Sequence, residues 1–204
     1  MSALSRVYPG FTRIVNYADD FVILCRKQVG EALQAARELI TKLGLTLNEE
    51  KTRECQAGKT PFNFLGYTFE TLYCFGGQPY LGVRPSDKSA SKYRETIQQL
   101  TARDQVAKKA ETVVEAINRV TRGYWNYYCL GTSKKLRWEL NQYTRYKVWR
   151  WTLRKHTKPL KRKGGKQSGA SEVKARVKAA QRLLINGIQI PGKPLSRRGK
   201  LHAL

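Results

Sequence analysis

The sequence predicts an α+β protein with antiparallel strands, and three observations support this. Short runs rich in β-branched and aromatic residues, separated by turn residues, fill most of residues 1–85. From residue 86 onward, apolar residues recur at helical spacing. The charge also changes there, from 10 basic and 8 acidic side chains in residues 1–85 to 29 basic and 7 acidic ones in residues 86–204. We therefore expect a nearly neutral α+β part followed by a basic helical part.

The first predicted strands are residues 13–17 and 21–24, which are short and rich in Ile, Val, Phe and Tyr. The few residues between them predict a tight hairpin. Residues 30–43 predict a helix with Leu33, Ala36, Ile40 and Leu43 on one face. Gly44 follows where a left-handed C-terminal cap is expected.

Further strands are predicted after this helix. Residues 46–52 are expected to follow a short extended segment and to connect it to the next element. Residues 62–73 are expected to form one or two strands. The Gly76-Gly77 turn then begins a hairpin that returns through residues 80–83.

Three helices are predicted from residue 86 to about residue 154. Ser86 or Asp87 is the N-cap candidate of the first, the second spans about 106–128, and Ser133 caps the third. The expected buried stripes are Ala110, Val113, Ile117 and Val120 in the second helix, and Leu136, Leu140, Tyr143, Val148 and Trp151 in the third. Residues 158–204 are expected to form a basic Gly/Ser-rich linker, a short helix at 172–186 and a tail.

Composition excludes several classes of protein. The four cysteines lie far apart without a CxxC pair, and there are two histidines, so neither a zinc site nor a disulfide framework is expected. No apolar run approaches the roughly 20 residues of a membrane-spanning helix, so no membrane partner is expected and a cytoplasmic location is predicted. The net charge of +24, with Arg mixed among Trp and Tyr, favours nucleic acid over lipid as the polyanionic partner.

Asp19 and Asp20 lie side by side at the tip of the first predicted hairpin. Two ionised carboxylates this close repel each other unless a cation is present, and oxygen ligands of this kind suit Mg²⁺, or alternatively Mn²⁺. Taken alone, the pair is more often a solvated turn. The surrounding sequence decides between these interpretations.

Several blocks of sequence, in this order, resemble the group II intron reverse transcriptases, also called maturases. The resemblance spans about residues 7–157 and identifies the end of the palm and the helical thumb, or maturase-specific domain. It implies a partial palm at 1–85 and a helical thumb at 86–157. The blocks are NYADDFVIL (16–24), GLTLNEEKT (44–52), FNFLGYTF (62–69), INRVTRGYWNYY (117–128) and LRWELNQYTRYKVWRWTLRKH (136–156).

The resemblance also implies roles for individual residues. Asp19 and Asp20, within the box that begins at Tyr17, correspond to the catalytic metal-binding aspartates of the family. Tyr17 itself is implied to contact the nucleotide or the primer. Lys51 corresponds to a lysine near the leaving pyrophosphate, although a solvated lysine is an equal alternative. The primer-grip turn corresponds to Phe64, Leu65 and Gly66, of which the first two are also candidates for core packing.

One departure from the family pattern concerns a third carboxylate, which the polymerase mechanism takes from an earlier palm strand. No acidic residue precedes Asp19 in this sequence. We therefore expect a C-terminal piece with an incomplete site, inactive alone, whose partners include a separate polypeptide with the fingers and the first palm acid.

RNA binding is predicted for cations of the helical part, because Arg and Lys neutralise phosphates. The implied partners are structured intron RNA, an RNA template and a DNA primer. The alternatives to a polymerase-maturase are a splicing-assistance module without polymerase activity and a general basic RNA-binding protein. The candidate RNA-binding residues are Arg122, Lys134, Lys135, Arg137, Arg145, Lys147, Arg150 and Arg154.

Overall fold

The computed structural model describes residues 12–25, 29–131, 133–156 and 178. These residues form antiparallel strands and four α-helices, which confirms the predicted α+β class. The chain divides into two compact units, Met1–Gly82 and Val83–Leu204. Among the described residues, no helix is both long and apolar enough to cross a lipid bilayer.

The first unit begins with a two-stranded antiparallel hairpin of β1 (Thr12–Tyr17) and β2 (Asp20–Cys25). Helix α1 (Val29–Lys42) follows, and it ends before Gly44, whose φ of 70° is the left-handed conformation expected of a C-terminal glycine. The Arg37 guanidinium donates two hydrogen bonds to the Glu49 carboxylate, at 3.1 and 2.8 Å, and so ties the chain after the helix back to α1.

A three-stranded sheet in the order β3-β4-β5 follows. Strand β3 (Phe62–Phe64) pairs antiparallel with β4 (Tyr67–Tyr73), and β5 (Pro79–Pro85) lies on the other side of β4. The boundary between the two units falls inside β5.

The second unit is built on α2 (Asp87–Leu100), a 3₁₀ turn (Arg103–Ala107), α3 (Ala110–Tyr127) and α4 (Lys134–His156). Ser86 caps α2, because its side chain accepts a hydrogen bond from the Ser89 backbone N–H at 3.2 Å. The core between the helices is formed by fully or almost fully buried side chains. These are Ala90, Tyr93 and Ile97 of α2, Val113, Ile117, Thr121 and Trp125 of α3, and Leu140, Thr144, Val148, Trp151 and Thr152 of α4.

The structure corrects the predicted second helix. Residues 103–107 form a 3₁₀ turn, and Lys108 and Lys109 have extended backbones with ψ of 153° and 145°, so α3 begins at Ala110 rather than near residue 106. On its buried face, Thr121 replaces the predicted Val120, which is half-buried. Thr121 lies inside because its hydroxyl hydrogen-bonds the Tyr93 hydroxyl at 3.0 Å.

Other predictions differ in smaller ways. Residues 45–48 form no strand, and Asn48 instead begins a turn over 49–51. Within α4, Leu140, Val148 and Trp151 are buried as predicted, whereas Leu136 and Tyr143 are half-buried. The predicted linker, short helix and tail at 158–204 lie outside the described residues, except for Lys178.

Candidate functional site

The β1-β2 hairpin carries the acid pair on a two-residue turn. Ala18 and Asp19 form the turn, and Asp20, the first residue of β2, lies opposite Tyr17 in the ladder. Ala18 has φ of 53°, a left-handed conformation that costs a non-glycine residue about 1 kcal/mol or more. A glycine would adopt this turn without strain, so the turn keeps an unfavourable backbone directly before the two carboxylates.

Both aspartates are exposed, and the Tyr17 ring is 66% exposed. Among the described residues, no three His, Cys, Asp or Glu side chains group together as a metal site. The donor set at the turn is therefore a pair of carboxylates. Mg²⁺ is commonly held by one or two carboxylates while water and substrate phosphates fill its other positions. Asp19 and Asp20 fit part of such a site.

The β3-β4 turn is the second strained position. Leu65 (φ 49°) and Gly66 (φ 76°) form a two-residue turn in which both residues have positive φ, the arrangement of a type I′ turn. Below it, the Phe62 and Phe69 rings stack with centroids 4.9 Å apart, and the Thr68 hydroxyl donates to Asn63 Oδ1 at 2.6 Å. Cross-strand pairs of this kind fix the register, so the Leu65 backbone is held at the tip.

Lys51 lies in a third turn, made by Asn48. The Lys51 backbone N–H lies 3.2 Å from both the carbonyl oxygen and the side-chain Oδ1 of Asn48, and the lysine side chain is exposed. The structure therefore places the predicted catalytic and primer-binding residues in three separate turns of the first unit. The predicted primer-binding residues Phe64, Leu65 and Gly66 lie at the β3-β4 turn, and Tyr17, Asp19 and Asp20 lie at the β1-β2 turn.

The eight predicted RNA-binding residues fall into two groups. The first group, which is exposed on α3 and α4, consists of Arg122, Lys134, Lys135, Arg145 and Arg150. The second group is partly buried and contacts other parts of the protein.

This second group is Arg137, Lys147 and Arg154, and each binds a group within the second unit. The Arg137 guanidinium lies 4.4 Å from the Trp125 ring centroid, and burial lowers the pKa of Arg137. Lys147 Nζ donates to Gln98 Oε1 at 3.1 Å, and Arg154 Nη1 donates to the Thr101 carbonyl oxygen at 3.4 Å. These three cations hold the helices together, so we expect weaker phosphate contacts from them.

Helix α4 also carries a stripe of exposed aromatic side chains. Trp138 is 63% exposed, Tyr146 49% and Trp149 39%. The Tyr146 and Trp149 rings lie 5.9 Å apart, and the Arg150 guanidinium is 5.8 Å from the Tyr146 ring. Spacings of 8 and 3 residues place the three rings on one helical face, which could have been recognised from the sequence.

Two family models match the chain. Residues 1–69 match the model of the reverse transcriptase (RNA-dependent DNA polymerase) family, and residues 90–169 match that of the group II intron, maturase-specific domain. Together the two matches confirm the predicted resemblance to the group II intron reverse transcriptases and maturases. The turns at 18–19 and 65–66 lie in the reverse transcriptase match, and the exposed cations of α3 and α4 lie in the maturase-specific match. No curated protein matches the chain as a relative.

Proposed function

We propose that this chain binds structured intron RNA through its helical unit and thereby assists splicing. We propose further that Asp19 and Asp20 form part of a Mg²⁺-dependent site for RNA-directed DNA synthesis on an RNA template and a DNA primer. The observation that carries both parts is the presence, in one maturase chain, of a strained acid turn and of exposed cations on two helices.

The exposed cations support RNA binding on electrostatic grounds. Residues 86–156 carry 16 basic and 6 acidic side chains, an excess that repels itself unless an anionic partner or salt offsets it. Arg and Lys neutralise phosphates, and exposed aromatic rings such as Trp138 stack on unpaired bases. A folded RNA offers both kinds of contact.

The acid turn supports a role in phosphoryl transfer. A divalent cation bound there would stabilise the charge that develops on the transferred phosphoryl group. Asp19 and Asp20 would hold the cation, the Leu65-Gly66 turn would support the primer end, and Lys51 would lie near the leaving pyrophosphate. This chemistry depends on positioning, so we expect a third carboxylate, besides Asp19 and Asp20, to be needed for most of the rate.

A second function, an RNA-binding module without polymerase activity, is favoured by one observation. Among the described residues, Asp19 and Asp20 have no third acidic, His or Cys side chain grouped with them. In that case the maturase role remains and the acid turn is inactive.

Primer extension tests the proposal. With RNA template, DNA primer and Mg²⁺, we expect negligible synthesis by the chain alone and synthesis when a polypeptide with the fingers and the first palm acid is added. In that complex, Asp19→Ala and Asp20→Ala should abolish extension while RNA affinity stays within about twofold, because exposed carboxylates make little contact with phosphates.

Three results would contradict parts of the proposal. Efficient, Asp19-dependent extension by the chain alone would show that its site is complete. Failure of the added polypeptide to restore extension would favour the RNA-binding module. Equal affinity for intron RNA and unrelated RNA of the same length would contradict the splicing role and favour a general basic RNA-binding protein.

A further inference from the structure

Gly123 lies in the interior of helix α3, and nothing within the described residues accounts for a glycine there. The residue is exposed, and a Cβ added to it would meet no atom within 4 Å. Glycine in an exposed helix interior is about 1 kcal/mol less favourable than alanine. The chain thus keeps a destabilising residue at a position where the packing of the described residues would allow a side chain.

The surface around Gly123 is a shallow, open groove of about 470 Å³. It is lined by polar side chains on the face of α3 opposite the buried Ile117 and Thr121. The lining residues are Glu115, Asn118, Arg119, Arg122, Gly123 and Asn126. They extend over 12 residues of helix, whose 11 steps of 1.5 Å give about 16 Å.

The chemistry of this groove suits a sugar-phosphate backbone. Arg119 and Arg122, four residues and one residue before Gly123 in α3, supply guanidinium groups for phosphate oxygens. Asn118 and Asn126 carry amides that can donate to and accept from ribose hydroxyls. Glu115 lies at the far end of the groove, where its carboxylate can accept a hydrogen bond from a ribose 2′-hydroxyl.

We propose that Gly123 is the point of closest approach between α3 and the backbone of double-helical RNA, with the groove as a binding site for that backbone. The inference rests on the proposed RNA-binding function and deepens it. Without a side chain at residue 123, the ribose-phosphate chain lies against the helix, within reach of Arg119 and Arg122. Glycine is the residue that permits such close approach of another backbone.

RNA is a better occupant than a second protein chain because of charge. The helical unit is strongly basic, so a second copy of it would be repelled, whereas a polyanion is attracted. The groove is also lined by charged and amide side chains rather than by the apolar residues found at the centre of stable protein interfaces.

Substitutions of increasing size at Gly123 test the inference in the full chain. Gly123→Ala and Gly123→Leu introduce better helix formers, so each should raise the midpoint of thermal unfolding, by about 4 °C for alanine. Affinity for an RNA duplex about 16 base pairs long should fall instead, about tenfold for alanine and further for leucine, because the added atoms separate the two backbones.

The salt dependence gives a second readout. Displacing the RNA backbone moves its phosphates away from Arg119 and Arg122. The slope of log affinity against log salt should therefore flatten by about one unit for each phosphate that the protein no longer neutralises. Arg119→Ala should reproduce one unit of this change without raising the unfolding midpoint.

Gly30 provides a control outside the helical unit, because it lies in the first turn of helix α1 and a Cβ there also meets none of the described residues within 4 Å. Gly30→Ala should raise stability and leave duplex affinity unchanged.

Wild-type affinity in both Gly123 variants, or a change in oligomeric state by light scattering without a change in affinity, overturns the inference. If Arg145→Ala/Arg150→Ala weakens binding and the Gly123 series does not, this inference alone is wrong. If the wild-type chain does not bind the duplex, the proposed function is wrong as well.

Discussion

At the scale of single residues, three hydroxyl groups meet in the centre of the helical unit. The Tyr93 hydroxyl lies 3.0 Å from both the Thr121 and the Thr144 hydroxyls, so it joins α2, α3 and α4. Thr144 also donates to the Leu140 carbonyl oxygen at 2.8 Å. Because buried hydroxyls are costly unless paired, this cluster favours one alignment of the three helices.

Tyr124 lies beside this cluster and makes stability sensitive to alkaline pH. Burial raises the pKa of Tyr124 to about 12, outweighing the opposing hydrogen bond with the Ser89 hydroxyl at 3.5 Å. The folded chain therefore holds the phenol proton more tightly than the unfolded chain, where the pKa is about 10. This contribution to stability is complete below pH 10 and is lost as the pH rises from about 10 through 12.

Tyr124→Phe removes the titrating group, so the variant should lose less stability between pH 9 and pH 11 than the wild type. Urea unfolding at the two pH values measures the difference. Lysine deprotonation affects both proteins equally and cancels in the comparison. The interpretation is wrong if both proteins lose the same stability.

Gly131 contrasts with Gly123, since the fold itself requires it. Its φ is 83°, and a Cβ there would overlap the backbone carbonyl of Val83. Gly131→Ala should therefore lower the free energy of unfolding by about 2 kcal/mol or more, measured by urea denaturation. Gly76→Ala is the control, because a Cβ at Gly76 meets nothing within 4 Å. Equal stability of the two variants would contradict the close approach to Val83.

At the scale of elements, helix α4 carries half-buried cations that contact other elements and exposed cations, of which Arg150 donates to the Tyr146 hydroxyl of the same helix at 3.4 Å. We expect Arg145→Ala/Arg150→Ala to weaken RNA binding and to flatten the salt slope by about two units, one for each phosphate contact. Fluorescence anisotropy over a series of salt concentrations measures both quantities.

Lys147→Ala/Arg154→Ala is the matched pair on the same helix. These cations hydrogen-bond to Gln98 and Thr101, so their removal should lower stability more and the salt slope less. Equal slopes for the two double variants would show that the protein contacts do not distinguish the cations.

The helix break before α3 shows what local sequence could not predict. Val106 lies at helical spacing, four residues before Ala110, so periodicity alone extended the predicted helix too far. The break is held by Lys155, whose Nζ donates to the carbonyl oxygens of Val106 at 2.9 Å and Lys108 at 2.5 Å. A contact across nearly 50 residues leaves no local pattern. Helix α1 and the β3-β4 pair were predictable because their periodicity and turn residues are local.

The candidate site was predictable to a similar extent. Adjacent aspartates between two apolar runs identify an acid hairpin from sequence alone. The left-handed Leu65 was not predictable, since leucine rarely adopts positive φ. The stacking of Arg137 on Trp125 joins two helices, so the eight candidate RNA-binding cations could be sorted only by tertiary structure.

At the scale of the whole molecule, the uneven charge predicts opposite responses to salt. Residues 86–204 carry 29 basic and 7 acidic side chains, so screening should relieve their mutual repulsion and raise the unfolding midpoint of the free protein. RNA affinity should fall over the same range, because counterion release becomes less favourable. Calorimetry and anisotropy at low and at about 150 mM salt test this. A midpoint that falls with added salt would contradict it.

The β1-β2 hairpin has a consequence for solubility. Within the described residues these two strands pair only with each other, so main-chain donors and acceptors remain along both outer edges. A further strand from another polypeptide could add to either edge, and so could the hairpin of a second copy. At high concentration, copies of this chain would therefore compete with an added strand for the same edges. A polypeptide that supplies such a strand should reduce self-association of the chain.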